Sequence, residues 1–271
     1  MSTTTPYVPE LIDLERRFAG VRRLYGAKAF ARIAAARVCI VGVGGVGSWC
    51  AEALARSGVG ALVLVDLDIV VESNVNRQLQ ALSAEIGRPK VEVLAERIAG
   101  INPHCAVRAL EDRIDSRNVQ ALLTPDLDFV VDCADNFHAK AAIIAHCKRS
   151  RIRIVTIGGA GGVSDPLLIR AADLTRTVQD PLLAKTRKHL RGHYGYTRNP
   201  QRRFEVPAVF SAEQPRYPTA DGGLSLAPPP DAALRGLGCA TGVGSAMPVT
   251  ATFAMVAAAH VLRKLATPAA D

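Results

Sequence analysis

Three groups of residues carry the chemistry of this 271-residue chain. The first is Gly42-Val43-Gly44-Gly45-Val46-Gly47, a G-x-G-x-x-G that follows an apolar run and opens a helical pattern. Glycines at these places permit a tight turn and let backbone N–H groups approach a phosphate, and the N-terminus of the next helix favours negative charge. Asp66 closes the following apolar run, about 20 residues on, where a carboxylate can accept hydrogen bonds from ribose hydroxyls. The second group is Asp68, Asn74, Arg77, Gln78 and Lys90. An Asn, an Arg and a Lys converging on a phosphate site suit a triphosphate, whose charge needs cations where a dinucleotide is served largely by backbone amides. Taken singly, Asn74 also reads as a turn residue, Arg77 as a solvated charge and Pro89-Lys90 as the first turn of a helix. The third group is Asp132-Cys133-Ala134-Asp135-Asn136, which ends an apolar run. Carboxylates at the end of a parallel strand face the ligand crevice, so Asp132 is the expected holder of Mg²⁺ against phosphate. Asp135 and Asn136 read equally as ligand contacts and as caps of the next helix.

The elements that must position these residues alternate. Apolar runs at residues 38–43, 61–65, 129–131 and 152–157, with another near Val107, predict buried strands. Helical spacing at residues 46–57, 89–101, 117–123 and 137–149 predicts helices between them. This implies an α/β, Rossmann-like fold: a mostly parallel sheet with helices on both faces. After Ile157 the character changes at Gly158-Gly159-Ala160-Gly161-Gly162, so a smaller mixed C-terminal region and a C-terminal helix extend the sheet. Residues 1–271 read as one continuous domain, with a nucleotide-binding core at 16–160, an elaboration at 161–271 and a Pro/Gly/Ala-rich mobile loop at 215–231. The apolar stretch Cys239 to Leu262 is interrupted by Pro248 and rich in Gly, Thr and Ala, which favours a buried helix from about Pro248 over a membrane span.

Composition bounds the rest. A chain 49% hydrophobic and 21% charged is an ordinary globular protein. The N-terminus holds acids and prolines where a secretory signal needs an apolar run, so a cytoplasmic location is expected. The six cysteines form no C-x-x-C pair, which argues against a disulfide scaffold and a Cys-rich zinc site. His104, His138, His146, His189, His193 and His260 show no metal-ligand spacing and receive no role. Of the formal charge of +8, the segment Lys185–Arg216 contributes +6. Its cations Lys185, Arg187, Lys188, Arg191, Arg198, Arg202 and Arg203 are candidate phosphate contacts for a polyanion, the alternative being a solvated loop.

The order of Gly-rich turn, D-x-D, S-N-x-x-R-Q, Lys and D-x-x-D-N, across about residues 17–160, resembles the ATP-dependent adenylating family of the ubiquitin-activating enzymes and the bacterial molybdopterin and thiamine sulfur-carrier activators. Within it the chain most resembles the bacterial tRNA-modifying branch, which dehydrates threonylcarbamoyladenosine, through Arg17-Phe18, Arg23-Leu24-Tyr25-Gly26, Thr156–Gly162, Gln179-Asp180-Pro181-Leu182 and Val249–Phe253. The resemblance implies an ATP site made of Gly42, Gly44, Gly45, Gly47, Asp66, Asp68, Asn74, Arg77, Gln78, Lys90, Asp132, Asp135 and Asn136. Arg77, Lys90 and Asp132 would act on the phosphates, with Asp132 holding Mg²⁺. It also implies a homodimer in which an N-terminal arginine reaches the partner's phosphates, from among Arg17, Arg22 and Arg23, with Arg23 the choice. The sulfur-carrier activators carry paired C-x-x-C motifs, and their absence here speaks for the tRNA branch and against zinc. Cys239, flanked by glycines, is either an accessory thiol that takes an acyl group or a small apolar residue. The implied partner is tRNA carrying threonylcarbamoyladenosine, and a cysteine desulfurase or sulfur-acceptor system is a further candidate. The alternatives are adenylation of a ubiquitin-like sulfur carrier's C-terminus, a nicotinamide-dependent dehydrogenase and a non-catalytic nucleotide-binding module.

Overall fold

The apolar runs form strands with almost no solvent contact, as strands covered on both faces must. They are β1 (Arg37–Val41), β2 (Ala61–Val65), β4 (Phe129–Asp132) and β5 (Arg153–Ile157), with the shorter-buried β3 (Ala106–Leu110) at an edge. The structure is a computed structural model and describes residues 13–228 and 243–268. Helices α1 (Leu14–Tyr25) and α2 (Ala27–Ala35) precede the sheet. Helices α3 (Gly47–Arg56), α4 (Lys90–Ile101), α5 (Val119–Leu122) and α6 (Phe137–Arg149) connect its first five strands. Beyond residue 160 come β6 (Ile169–Asp173), α7 (Pro181–His193), β7 (Pro207–Ser211) and α8 (Met247–Ala266).

The sheet order is β3-β2-β1-β4-β5-β7-β6, parallel throughout except that β6 runs antiparallel to β7. Because β1 has β2 on one side and β4 on the other, the chain reverses its winding at β1. The carboxyl ends of β1 and β4 therefore open a crevice, which is where ligands bind in such sheets. One face of the sheet packs Ile40, Leu54, Leu94 and Phe253 into a core, and the other packs Val130, Ile143, Leu183 and Phe210.

Helix α8 is long and apolar enough by composition to cross a membrane, with a mean hydropathy of 1.3. It packs on α2, α3 and β5, and its Phe253, Ala254, Ala257 and Val261 are fully buried, so it is a core helix of this fold. The stretch 215–231 contains a small hairpin that the loop reading did not anticipate, β8 (Tyr217–Pro218) against β9 (Leu224–Ser225). Thr219 and Gly223 close it, a turn too polar to show a strand pattern. Residues 229–231 of that stretch, and Cys239, lie outside the described residues.

Candidate active site

The Gly-rich turn leaves β1 at Gly42, whose φ of +83° is a left-handed conformation that glycine adopts without strain. A side chain there would also meet the Cys133 carbonyl at 3.0 Å, so the turn and the Asp132–Asn136 loop touch across the crevice. Gly47 is tighter, since a Cβ would lie 1.9 Å from the Gly42 carbonyl oxygen. Gly47→Ala is therefore expected to cost more than about 2 kcal/mol. A thermal melt checks this, and a midpoint equal to the wild type would refute the close packing.

Residues 74–80 are tied onto this turn. The Trp49 indole N–H donates to the Arg77 carbonyl at 2.9 Å, and the Leu79 amide to the Ser48 hydroxyl at 3.3 Å. Gln80, which sequence reasoning overlooked, is 1% exposed and donates to the Val43 carbonyl at 2.8 Å. Its Oε1 has no hydrogen-bond partner, which leaves a buried acceptor against the Gly-rich turn. The Arg77 stem lies over Gly45, and Gln78 faces Gly44 at 3.8 Å from where a Cβ would stand. Asn74 is buried and accepts from the Val71 amide at 3.2 Å, which is what a turn residue does.

Asp66 sits at the end of β2, accepting from the Val43 amide at 2.8 Å and the Asp68 amide at 2.9 Å. Burial pushes its carboxyl above the ordinary range, against the pull of these donors and of the nearby Lys90 ammonium. Lys90 begins α4 and is 5% exposed, and its Nζ donates to Asp68 Oδ2 at 2.9 Å. Strand-like pairing of Ile69 with Pro89 holds the two segments together.

The D-x-x-D-N loop divides its work among Asp132, Asp135 and Asn136, of which the capping by Asn136 is one of the two readings the sequence offered. Asp132 has no solvent exposure: its Oδ2 accepts from Lys140 Nζ at 3.0 Å and Thr156 Oγ1 at 2.6 Å, and its Oδ1 from the Ala134 amide at 3.2 Å. Lys140 is equally buried. Burial raises the Asp132 carboxyl, and Lys140 and Thr156 oppose that rise. The Asp132 carboxylate is thus satisfied within the protein, by Lys140, Thr156 and the Ala134 amide, where the sequence pointed to phosphate and Mg²⁺. Asn136 caps α6, accepting from the His138 amide at 2.9 Å and the Ala139 amide at 3.2 Å. Asp135, by contrast, is exposed and makes no hydrogen bond or ion pair with another described residue, so its carboxylate is open to solvent at the carboxyl end of β4. Lys140 and Thr156 were missed because each lies within an apolar helix or strand pattern and declares itself only through its partner.

The three N-terminal arginines also differ. Arg17 donates to the Ile101 carbonyl at 2.7 Å and anchors α1 to α4, and Arg22 approaches Glu15 at 3.5 Å. Arg23 is exposed without a partner among the described residues. In the basic segment, Arg187 is half-buried and donates to Thr177 and to the Leu174 carbonyl. Arg191 donates to the Thr197 carbonyl at 3.3 Å and lies 5.3 Å above the Phe204 ring. These two hold the segment's own structure, and Lys185 is half-buried, whereas Lys188, Arg198, Arg202 and Arg203 are exposed. Of the cysteines among the described residues, four are buried, and burial pushes the Cys50 thiol up to about 12.

The sequence profile of the ThiF family matches residues 16–270. The chain belongs to the ThiF family. Its relatives include the tRNA threonylcarbamoyladenosine dehydratase of Haemophilus influenzae, 46% identical over 93% of this chain and 94% of that protein. The Escherichia coli protein of the same name is 45% identical over 94% of this chain and 95% of its own length. A crystal structure of the Escherichia coli tRNA threonylcarbamoyladenosine dehydratase in complex with ATP superposes with a TM-score of 0.82 at 43% identity, covering 93% of this chain and 94% of that one. The ThiF profile thus spans both the Gly-rich core and the elaboration after residue 160.

Proposed function

We propose that this chain uses ATP to dehydrate threonylcarbamoyladenosine in tRNA, closing the threonine carboxylate and the carbamoyl group into a ring. The observation that carries the reading is the 46% likeness over nearly the full length of both proteins to a tRNA threonylcarbamoyladenosine dehydratase. In the reaction the threonine carboxylate attacks the α-phosphorus of ATP, forming an acyl-adenylate and releasing pyrophosphate. The carbamoyl oxygen then attacks the acyl carbon, a carbamoyl N–H gives up its proton, and AMP departs carrying one of the former carboxylate oxygens. The protein positions the two groups and neutralises charge. The glycine amides cradle phosphate, Asp66 accepts from ribose, and Arg77 and Lys90 supply cations at the rim of the turn. No thiol is required.

Asp135 fits Mg²⁺, which takes one or two carboxylates and completes its sphere with phosphate oxygens and water. When bound, the ion would neutralise triphosphate charge. Asp132 serves instead by fixing Lys140 and the loop on which Asp135 stands.

A homodimer is part of the proposal. Leu67, Ile69, Val75 and Leu82, all from 48% to 58% exposed, crowd the segment that leads into Lys90, and such a concentration of exposed apolar side chains suits a second copy. Arg23, exposed and unpaired among the described residues, is the arginine available to a partner's phosphates. Arg23→Ala is expected to lower the rate of AMP formation roughly 10²-fold with little loss of stability. Arg17→Ala should do the reverse, and equal effects of the two on rate would remove Arg23 from the site.

For tRNA, the exposed Lys188, Arg198, Arg202 and Arg203 favour phosphate contact. Affinity should fall steeply with salt, and replacing one of these four by Ala should reduce the slope of log affinity against log salt by just under about 1. Filter binding at several salt concentrations measures it, and an unchanged slope in all four variants would make the segment a solvated loop. The decisive experiment is mass analysis of tRNA nucleosides after incubation with ATP. The expected result is loss of one water from the modified adenosine, matched by AMP and pyrophosphate. ATP turnover with a sulfur-carrier protein and none with tRNA would overturn the reading.

A further inference from the structure

Beside the crevice stands a set of rings that the reaction above does not use. His138, in the first turn of α6, has its ring centroid 4.5 Å from that of His189 on α7, and His189 lies 4.2 Å from His193 one turn further on. Phe137 joins them, with its ring 5.7 Å from His189. The sequence separates these histidines by up to 55 positions, and the packing of α6 against α7 brings them together. His138 and His193 are exposed and His189 is half-buried. None of the three imidazoles is hydrogen-bonded to another described residue, and no metal-binding set of His, Cys, Asp and Glu occurs among the described residues. They meet as rings and nothing else.

The row begins directly after Asp135 and Asn136, at the mouth of the nucleotide crevice, and ends in a groove. His193 lines that groove, of about 540 Å³, together with Lys148, Arg149, Tyr194 and Tyr196. Arg149 is exposed with no carboxylate partner among the described residues, and Lys148 reaches Glu205 at 3.3 Å. Partial burial and the neighbouring imidazoles hold His189 below the ordinary histidine range, which favours the neutral ring. A row of flat rings that ends beside cations, on a path leading from a nucleotide site, matches unpaired nucleic-acid bases with their phosphates. An acidic protein would use the cations but has no need of the rings.

We propose that this strip is a base-stacking path on which unpaired bases of the substrate tRNA lie against His138, His189 and His193, with Arg149 taking backbone phosphate. The inference rests on the tRNA reading above and specifies how the nucleotides around the modified adenosine are held beside the crevice. It is tested by comparing His189→Ala/His193→Ala with His189→Phe/His193→Phe in the full-length protein. Stacking is lost in the first pair and kept in the second. The alanine pair is expected to weaken binding of modified tRNA by at least about fivefold for each base that loses its ring, while the phenylalanine pair stays within about twofold of the wild type. ATP affinity should be unchanged in both, and a perfect RNA duplex, whose bases are not available, should bind wild type and alanine pair alike. Wild-type tRNA affinity in the alanine pair, or equal loss in the alanine and phenylalanine pairs, would overturn the stacking path. So would loss confined to Arg149→Glu, the result expected of a phosphate contact without stacking. Should the double variant fail to fold by circular dichroism, His193→Ala alone, at an exposed position, carries the same expectation. If the wild type binds tRNA but converts no nucleoside, the reaction fails while the stacking path stands or falls on these affinities.

Discussion

Lys90→Ala is expected to lower ATP-dependent AMP formation by about 10³-fold while leaving the melting curve nearly in place. The rate loss is the size seen when one preorganised charge is removed from a developing anion in a site with little water. The small stability loss follows from the geometry of the pair. Lys90 is buried, but its partner Asp68 is 63% exposed at the side chain and returns to water when the ammonium is gone. An ion pair with so open a member is worth at most about 1 kcal/mol. Lys90→Met, which keeps the aliphatic stem, should lose as much activity and still less stability. Lys90→Arg should not restore activity, because a forked guanidinium does not fit the space of a compact ammonium held at 2.9 Å from Asp68. Pyrophosphate release in the presence of modified tRNA checks all three. Activity in Lys90→Ala above about a tenth of wild type would mean that the ammonium lies outside the phosphate path.

Asp132→Asn is expected to do the opposite, costing about 3–5 kcal/mol in stability because Lys140 is left as an uncompensated buried charge. In a domain of this size that is a fall of about 10 °C in the thermal midpoint. Protein that remains folded in the cold should still bind ATP. Asp135→Asn, three residues away and exposed, should melt with the wild type and lose most adenylation. Replacing both members of the buried pair, as Asp132→Asn/Lys140→Met, should recover part of the stability, because the stranded charge is gone. Differential scanning calorimetry with an ATP-binding assay separates these effects. An Asp132→Asn protein as stable as the wild type would show that the buried pair does not hold the loop.

Much of this was legible from residue order. The runs at 61–65 and 137–149 became β2 and α6 without a shift of boundary, because a strand buried on both faces and a helix with a capping Asn have strong local signals. Helix α7 was hidden in the basic segment, where charge outweighs its thin apolar stripe of Leu182, Leu183 and Leu190. Strands β6 and β7 were hidden because Ile-Arg-Ala-Ala-Asp has little strand character and pairs only because β7 offers it an edge. The N-terminal arginines could be listed from the sequence. Only the structure gave Arg17 to Ile101 and Arg22 to Glu15, leaving Arg23 exposed.

Residue order alone specified a Gly-rich turn, an acid at the end of the next strand, an Arg and a Lys after it, and a carboxylate loop, in a chain that belongs to the ThiF family. Such features are local, since turn conformation and strand ends depend on neighbours in the chain. Long-range packing settled which of two carboxylates is enclosed and which is open to solvent, and which of seven cations are bound up in their own segment. It also brought three histidines from two helices into one row. Those outcomes depend on burial and on partners far along the chain: Asp132 is enclosed by Lys140 and Thr156, and the histidines meet because α7 lies on α6. Sequence pattern records residue type and spacing, whereas the desolvation of a charge is a property of everything that surrounds it.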